Sequence, residues 1–208
     1  MRASRAGTTA CAGLLCSVFA LLSPACSHDG GAGGSSLHIS LSFAPPGAAV
    51  DDVLWIAQGA GAGGTLQVDV MAQDISSEFD GFNLEILFDP LVARAQSVAT
   101  GGVLDGCSSG PVLKADNVGN DNANQTGSIL ISESIAGVSP PGCTVSGQRA
   151  LARITFTAAG RGNAPLDFVQ FNGDPNAPSG TRLYRTQPAV PEVPVQLFDS
   201  GAEIDVAR

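Results

Sequence analysis

Residues 82–90 read FNLEILFDP, and this stretch decides the fold. In an extended chain successive side chains point to opposite faces, so Phe82, Leu84, Ile86 and Phe88 line one side and Asn83, Glu85 and Leu87 the other. Asp89-Pro90 then stops the run. An apolar side of this kind predicts one half of a hydrophobic core. The opposite side carries an amide, a carboxylate and, where solvent is expected, a leucine. Asn83, Glu85 and Leu87 are therefore the candidate partner-binding residues, against the plainer reading of an ordinary wet sheet face.

The same grammar extends in both directions. LHISLSF (37–43), DVLWIAQ (52–58), TLQVDVMAQ (65–73), LVARAQSV (91–98), GPVLKADNV (110–118), GSILISESI (127–135) and ALARITFTAA (150–159) read as strands. APLDFVQFNG (164–173) and VPVQLFDSGAEIDV (193–206) close the chain. Gly, Pro, Asn and Asp separate these runs, and none shows a capped helical stripe. The expectation is an all-β antiparallel sandwich, spanning 37–208 as one domain. Phe82, Phe88, Phe156 and Phe168 read as core.

Composition narrows the function. Of 208 residues, 44% are apolar and only 14% charged, which suits an exported β protein. The net charge of −9 and the absence of any basic patch argue against nucleic acid as a partner. The only histidines, His28 and His38, fall before or at the start of the first strand, so a Ser-His-Asp or Cys-His site has no base to draw on. Zinc-binding spacings and phosphate-binding glycine motifs are absent; GAGAGG (59–64) has no helix after it. A sugar-cleaving cleft built on two carboxylates usually carries several aromatic platforms, and the chain has one Trp, Trp55, and one Tyr, Tyr184. The expectation is a protein that is not an enzyme.

The N-terminus has the pattern of a secretory signal, residues 1–25: Arg2 and Arg5, an apolar stretch over 8–22, then small residues at Ser23 and Ala25. Two processing routes fit. A signal peptidase cuts after Ala25, or Cys26 in LLSPACS is lipidated as in a bacterial lipoprotein. The glycine- and serine-rich segment 26–36 would then be a flexible tether. The expected location is a cell surface or outer membrane, reached through that lipid alone, or otherwise the medium. Cys107 and Cys143 are left in the folded part and most simply form one disulfide.

Several pieces, in order, resemble the cohesin family. FNLEILFDPLVARAQSV has the family's strand, aromatic-Asp-Pro and following apolar-led strand; GTLQVDVMAQDI, GSILISESI and RALARITFTAAGRGNAPLDF resemble other cohesin strands. The likeness spans about residues 50–206. It implies a nine-stranded jelly-roll sandwich without an active site, one flat sheet face of which binds a dockerin, a calcium-loaded helical module. On that pattern Asn83, Glu85 and Leu87 lie on the recognition strand. A carbohydrate-binding module acting in polysaccharide binding or degradation, or a purely structural surface lipoprotein, are the alternatives. The carbohydrate reading requires Trp55 or Tyr184 to be exposed beside polar groups.

DNVGNDNANQTG (116–127) concentrates oxygen ligands. Asp116, Asn120, Asp121, Asn122 and Asn124 offer a structural calcium site, although no EF-hand spacing is present. The competing reading is a polar hairpin loop, where Asn and Asp favour turn geometry. No other cofactor is expected.

Overall fold

The computed structural model describes residues 37–48, 50–61, 64–108, 110–120, 126–137, 142–174, 179–186 and 189–208. The signal, the tether, Cys26, Asp121, Asn122 and Asn124 lie outside the described residues.

The chain runs through β1 (His38–Ser42), β2 (Val53–Gln58), β3 (Thr65–Gln73), β4 (Gly81–Phe88), β5 (Ala93–Thr100), a short helix α1 (Val103–Cys107), β6 (Val112–Gly119), β7 (Gly127–Ile135) and β8 (Gln148–Ala158). Six short strands follow: β9 (Gly162–Pro165), β10 (Asp167–Phe168), β11 (Arg182–Thr186), β12 (Ala189–Val193), β13 (Gln196–Leu197) and β14 (Glu203–Ala207). Fourteen strands are thus described where about nine were expected, since breaks at Leu166 and after Leu197 cut the last two predicted strands into short pieces. β11, β12 and α1 have no counterpart in the sequence reading.

Strands order as β12-β11-β4-β7-β6 in one layer, with β10 also on β4, and as β13-β2-β3-β8-β5 in the other. β1, β14 and β9 form a third, small sheet. Pairing is antiparallel apart from β13 on β2 and an isolated parallel bridge, Gln170 to Thr181. From β3 to β5 the chain changes layer at each step, the exchange a jelly roll uses.

Alternation dictates the interior. Phe82, Leu84, Ile86 and Phe88 from β4 and Ile129 and Ile131 from β7 meet Leu66, Val68, Val70, Ile154 and Phe156 from the facing layer in one buried cluster. Phe88 and Phe156 pack edge to face across the layers with centroids 5.4 Å apart. Gly127 is required beneath that contact, since a Cβ there would lie 2.4 Å from the Phe88 ring. Phe168 is only half-buried, at the end of two-residue β10. Trp55 is buried, as expected of a strand residue flanked by aliphatics. Its side, however, is the outer one of β2, in a separate cluster with Val53 and Ala57. Phe43 stacks on it at 6.0 Å.

The open side of the sandwich, where edge strands β5 and β6 face each other, is laced by side chains. Asn120 accepts from the Ala95 amide at 3.1 Å and donates to the Ala95 carbonyl at 2.9 Å. Ala95 begins the bulge in β5, so the carboxamide takes the place of a strand peptide where the ladder shifts register. Cys107 and Cys143 are joined by a disulfide with Cα atoms 5.6 Å apart, tying α1 to the bridge that Cys143 makes with Phe79.

Candidate functional site

The outer face of the β11-β4-β7-β6 layer is built in rows. Register places Tyr184, Gly81, Ser134 and Leu113 side by side, then Arg182, Asn83, Ser132 and Ala115, then Glu85, Leu130 and Asn117, and last Leu87, Ser128 and Gly119. β11 is what closes half of this face. Arg182 sets its guanidinium 4.0 Å above the Phe171 ring and 5.5 Å from the Tyr184 ring. Tyr184 in turn lies flat on Gly81, where an added Cβ would come within 2.4 Å of its ring. Burial lifts the Tyr184 phenol above the ordinary tyrosine range; Ser134 and Arg182 pull it back in part.

β11 is anchored through Asp80, which is fully buried. Its carboxylate accepts from the Thr186 amide at 2.9 and 3.0 Å and from the Thr186 hydroxyl at 2.9 Å. The Asp80 amide donates to the Tyr184 carbonyl. Nearby, Arg185 and Glu78 form an ion pair.

This arrangement corrects the expected recognition strand. Asn83 is not on an exposed face: it is 7% exposed and accepts a hydrogen bond from the Ser132 hydroxyl at 2.7 Å. Glu85 is half-buried, and its Oε2 accepts from the Gly180 amide at 2.6 Å. Thr181 and Val169 also bond the Glu85 backbone, so the segment before β11 lies along this part of β4. Leu87 is half-buried beside Asp167 and Ser128. The reason is positional: β4 is central in its layer, flanked by β11 and β7, and a central strand is the first to be covered.

What stays open is the β7-β6 half. Leu113 is 60% exposed, the most exposed large apolar side chain among the described residues. Ala115 and Asn117 are exposed beside it, and Leu130, Ser132 and Ser134 are half-exposed. None of these side chains is charged, on a protein of net charge −9. The alternation of GSILISESI (127–135) puts Leu130, Ser132 and Ser134 together on one side of β7. Sequence reasoning missed Leu113 and Arg182, and named Tyr184 only as a sugar-stacking candidate; the alternation of TRLYRT (181–186) after Gly180 was the available signal for the last two.

Glu133 is on the inner side of β7, as its spacing from Ile129 and Ile131 requires, and is 1% exposed. Neither carboxyl oxygen makes a hydrogen bond. Burial raises its pKa above the ordinary glutamate value, while Thr100 and Lys114 pull the other way.

Of the residues in the calcium reading, Asn120 bonds both the amide and the carbonyl of Ala95. Asp116 is exposed on β6. Among the described residues no three His, Cys, Asp or Glu side chains are grouped to hold a metal ion. Trp55 is 5% exposed and Tyr184 half-buried, so neither presents an open stacking platform of the kind the carbohydrate reading requires.

No family model matches the sequence, and no curated protein matches it. Among solved structures the chain is similar to the second type II cohesin module of the adaptor ScaA scaffoldin of Acetivibrio cellulolyticus, with 15% identity, 72% of this chain and 94% of that one covered, and a TM-score of 0.49. It is similar to the sixth cohesin of that organism's scaffoldin B, solved in complex with a Cel5 dockerin, at 12% identity, coverage of 74% and 97%, and a TM-score of 0.46. A non-cellulosomal cohesin from Archaeoglobus fulgidus gives 14% identity, coverage of 71% and 86%, and a TM-score of 0.42.

Proposed function

We propose that this chain is a non-catalytic, cohesin-like binding module that docks a dockerin-type protein through the outer face of β7 and β6, while held at a cell or outer-membrane surface by lipid on Cys26. One observation carries the reading. An uncharged face of leucine, alanine and serine, with Leu113 60% exposed on its edge strand β6, lies open on an otherwise acidic molecule. Interface cores are depleted in charge and anchored by a few apolar side chains inside a polar rim. The cohesin resemblance in the sequence supplies the partner class.

The test is calorimetric titration with a calcium-loaded dockerin module. Leu113→Asp should weaken binding by about 2 kcal/mol or more, roughly 30-fold. Leu91→Asp, a 46% exposed leucine in the turn after Asp89-Pro90, should leave affinity unchanged. Equal affinity for wild type and Leu113→Asp removes this face as the interface. Release of the protein from membranes on Cys26→Ser would bear out the lipid anchor, and unchanged fractionation would refute it.

A further inference from the structure

The one lysine of the chain stands in a setting that docking does not use. Lys114, on β6, directs its Nζ into the gap between the layers, 2.6 Å from Asp105 Oδ2 on α1, 2.9 Å from Thr100 Oγ1 at the end of β5, and 3.6 Å from Glu133 Oε1. An amine, a carboxyl group at contact distance and a buried glutamate beside the amine are the three groups that amide condensation needs. We propose that Lys114 and Asp105 become joined by an amide bond between Nζ and Cγ, with Glu133 relaying the proton.

The step balances without any oxidant or co-reactant. The Lys114 ammonium gives one proton to the Asp105 carboxylate across their contact. The neutral amine then attacks Cγ and forms the C–N bond. As the Cγ–O bond breaks, a second proton leaves nitrogen for Glu133, and the proton of Glu133 goes to the departing hydroxyl. One water is released, Glu133 ends protonated as it began, and the third hydrogen remains as the amide N–H. Burial raises the pKa of Glu133 and so favours the protonated form this relay requires. The Lys114–Asp105 contact raises the pKa of the lysine, so the first transfer is the slow one. Fixed proximity compensates, since held groups react at effective concentrations of about 10⁵ M or more. Both partners are partly open, at 39% and 51% exposure, so the water formed has a way out. The product would be a second covalent tie on α1, two residues from the disulfide at Cys107, across the side of the sandwich that has no backbone ladder. Such a tie suits a module that is pulled between an anchor and a partner.

A protease that cuts only after lysine has one site in this chain, Lys114. The full chain, purified, reduced and unfolded, should therefore resist cleavage and weigh one water less than its composition. Cleavage into two pieces at full mass overturns the proposal. Asp105-Gly106 is also a sequence that can lose water by ring closure on its own backbone. That product keeps a free lysine and is cut, so a water-deficient chain that is cut overturns the proposal as well. Asp105→Ala should restore both cleavage and mass, whereas Asp105→Asn should still link, with loss of ammonia in place of water. Folded Glu133→Gln protein should be cut and at full mass; folded, linked Glu133→Gln protein would remove Glu133 from the mechanism.

Discussion

Asp80→Ala tests how the docking face is assembled. Asp80 is fully buried at the start of β4, and its carboxylate takes the Thr186 amide and hydroxyl at 2.9–3.0 Å. Hydrogen bonds to a charged group contribute about 1.5–3 kcal/mol each, against about 1 for a neutral pair. Thr186 is itself exposed, so water can take over its donors in the variant, which favours the low end of that range. Two donors at about 1.5 kcal/mol give a loss of about 3 kcal/mol. Urea unfolding followed by Trp55 fluorescence measures it as a drop in midpoint at unchanged slope. A double-mutant cycle with Thr186→Ala should recover about 1 kcal/mol of coupling, because both substitutions remove the Thr186 hydroxyl bond while the backbone amide bond is lost only with Asp80. A loss below about 1 kcal/mol, or no coupling, would refute the claim that Asp80 fastens β11.

Other outcomes follow from the same geometry. Gly81→Ala forces the Tyr184 ring off the face, so stability should fall by about 1–3 kcal/mol and absorbance titration of this sole tyrosine should shift back toward the ordinary value. Replacing Cys107 and Cys143 by serine opens a loop with a separation of 36 residues and should cost about 4 kcal/mol by the chain-entropy relation, read by denaturant unfolding against the oxidised protein. Glu133 binds its proton more tightly folded than unfolded, so the native state holds the extra proton and stability declines as pH rises. The decline begins near the ordinary value of 4.5 and ends above the raised folded value. Glu133→Gln should flatten that slope, as unfolding midpoints across a pH series would reveal.

Phe82, Ile86 and Phe88 point inward as their spacing demanded, and so do Ile129, Ile131 and Glu133. Period two is a property of the extended backbone itself, so it survives any tertiary arrangement. The disulfide was legible because only two cysteines, Cys107 and Cys143, lie in the folded part 37–208. β11 was not, because its five residues sit in a proline-rich tail where a short alternation carries little weight. The face reading failed at Asn83 for a related reason: alternation tells which side of a strand a residue is on, and says nothing of what is laid over that side.

By itself, then, the order of residues determined which side chains of the long strands face inward, and that the molecule is built almost wholly of β-strands. Only the assembled structure decided which outer face stays open. Strand order is set by pairings between segments a hundred residues apart, as when β11 joins β4 and shifts the exposed surface from Glu85 to Leu113. Lys114, Asp105 and Glu133 meet through nearer segments: β6 pairs with the next strand β7, which sets Lys114 opposite Glu133, and α1 directly precedes β6. Local sequence encodes direction along one strand; neighbours across the sheet are fixed by global packing, where burial of apolar area outweighs any local preference.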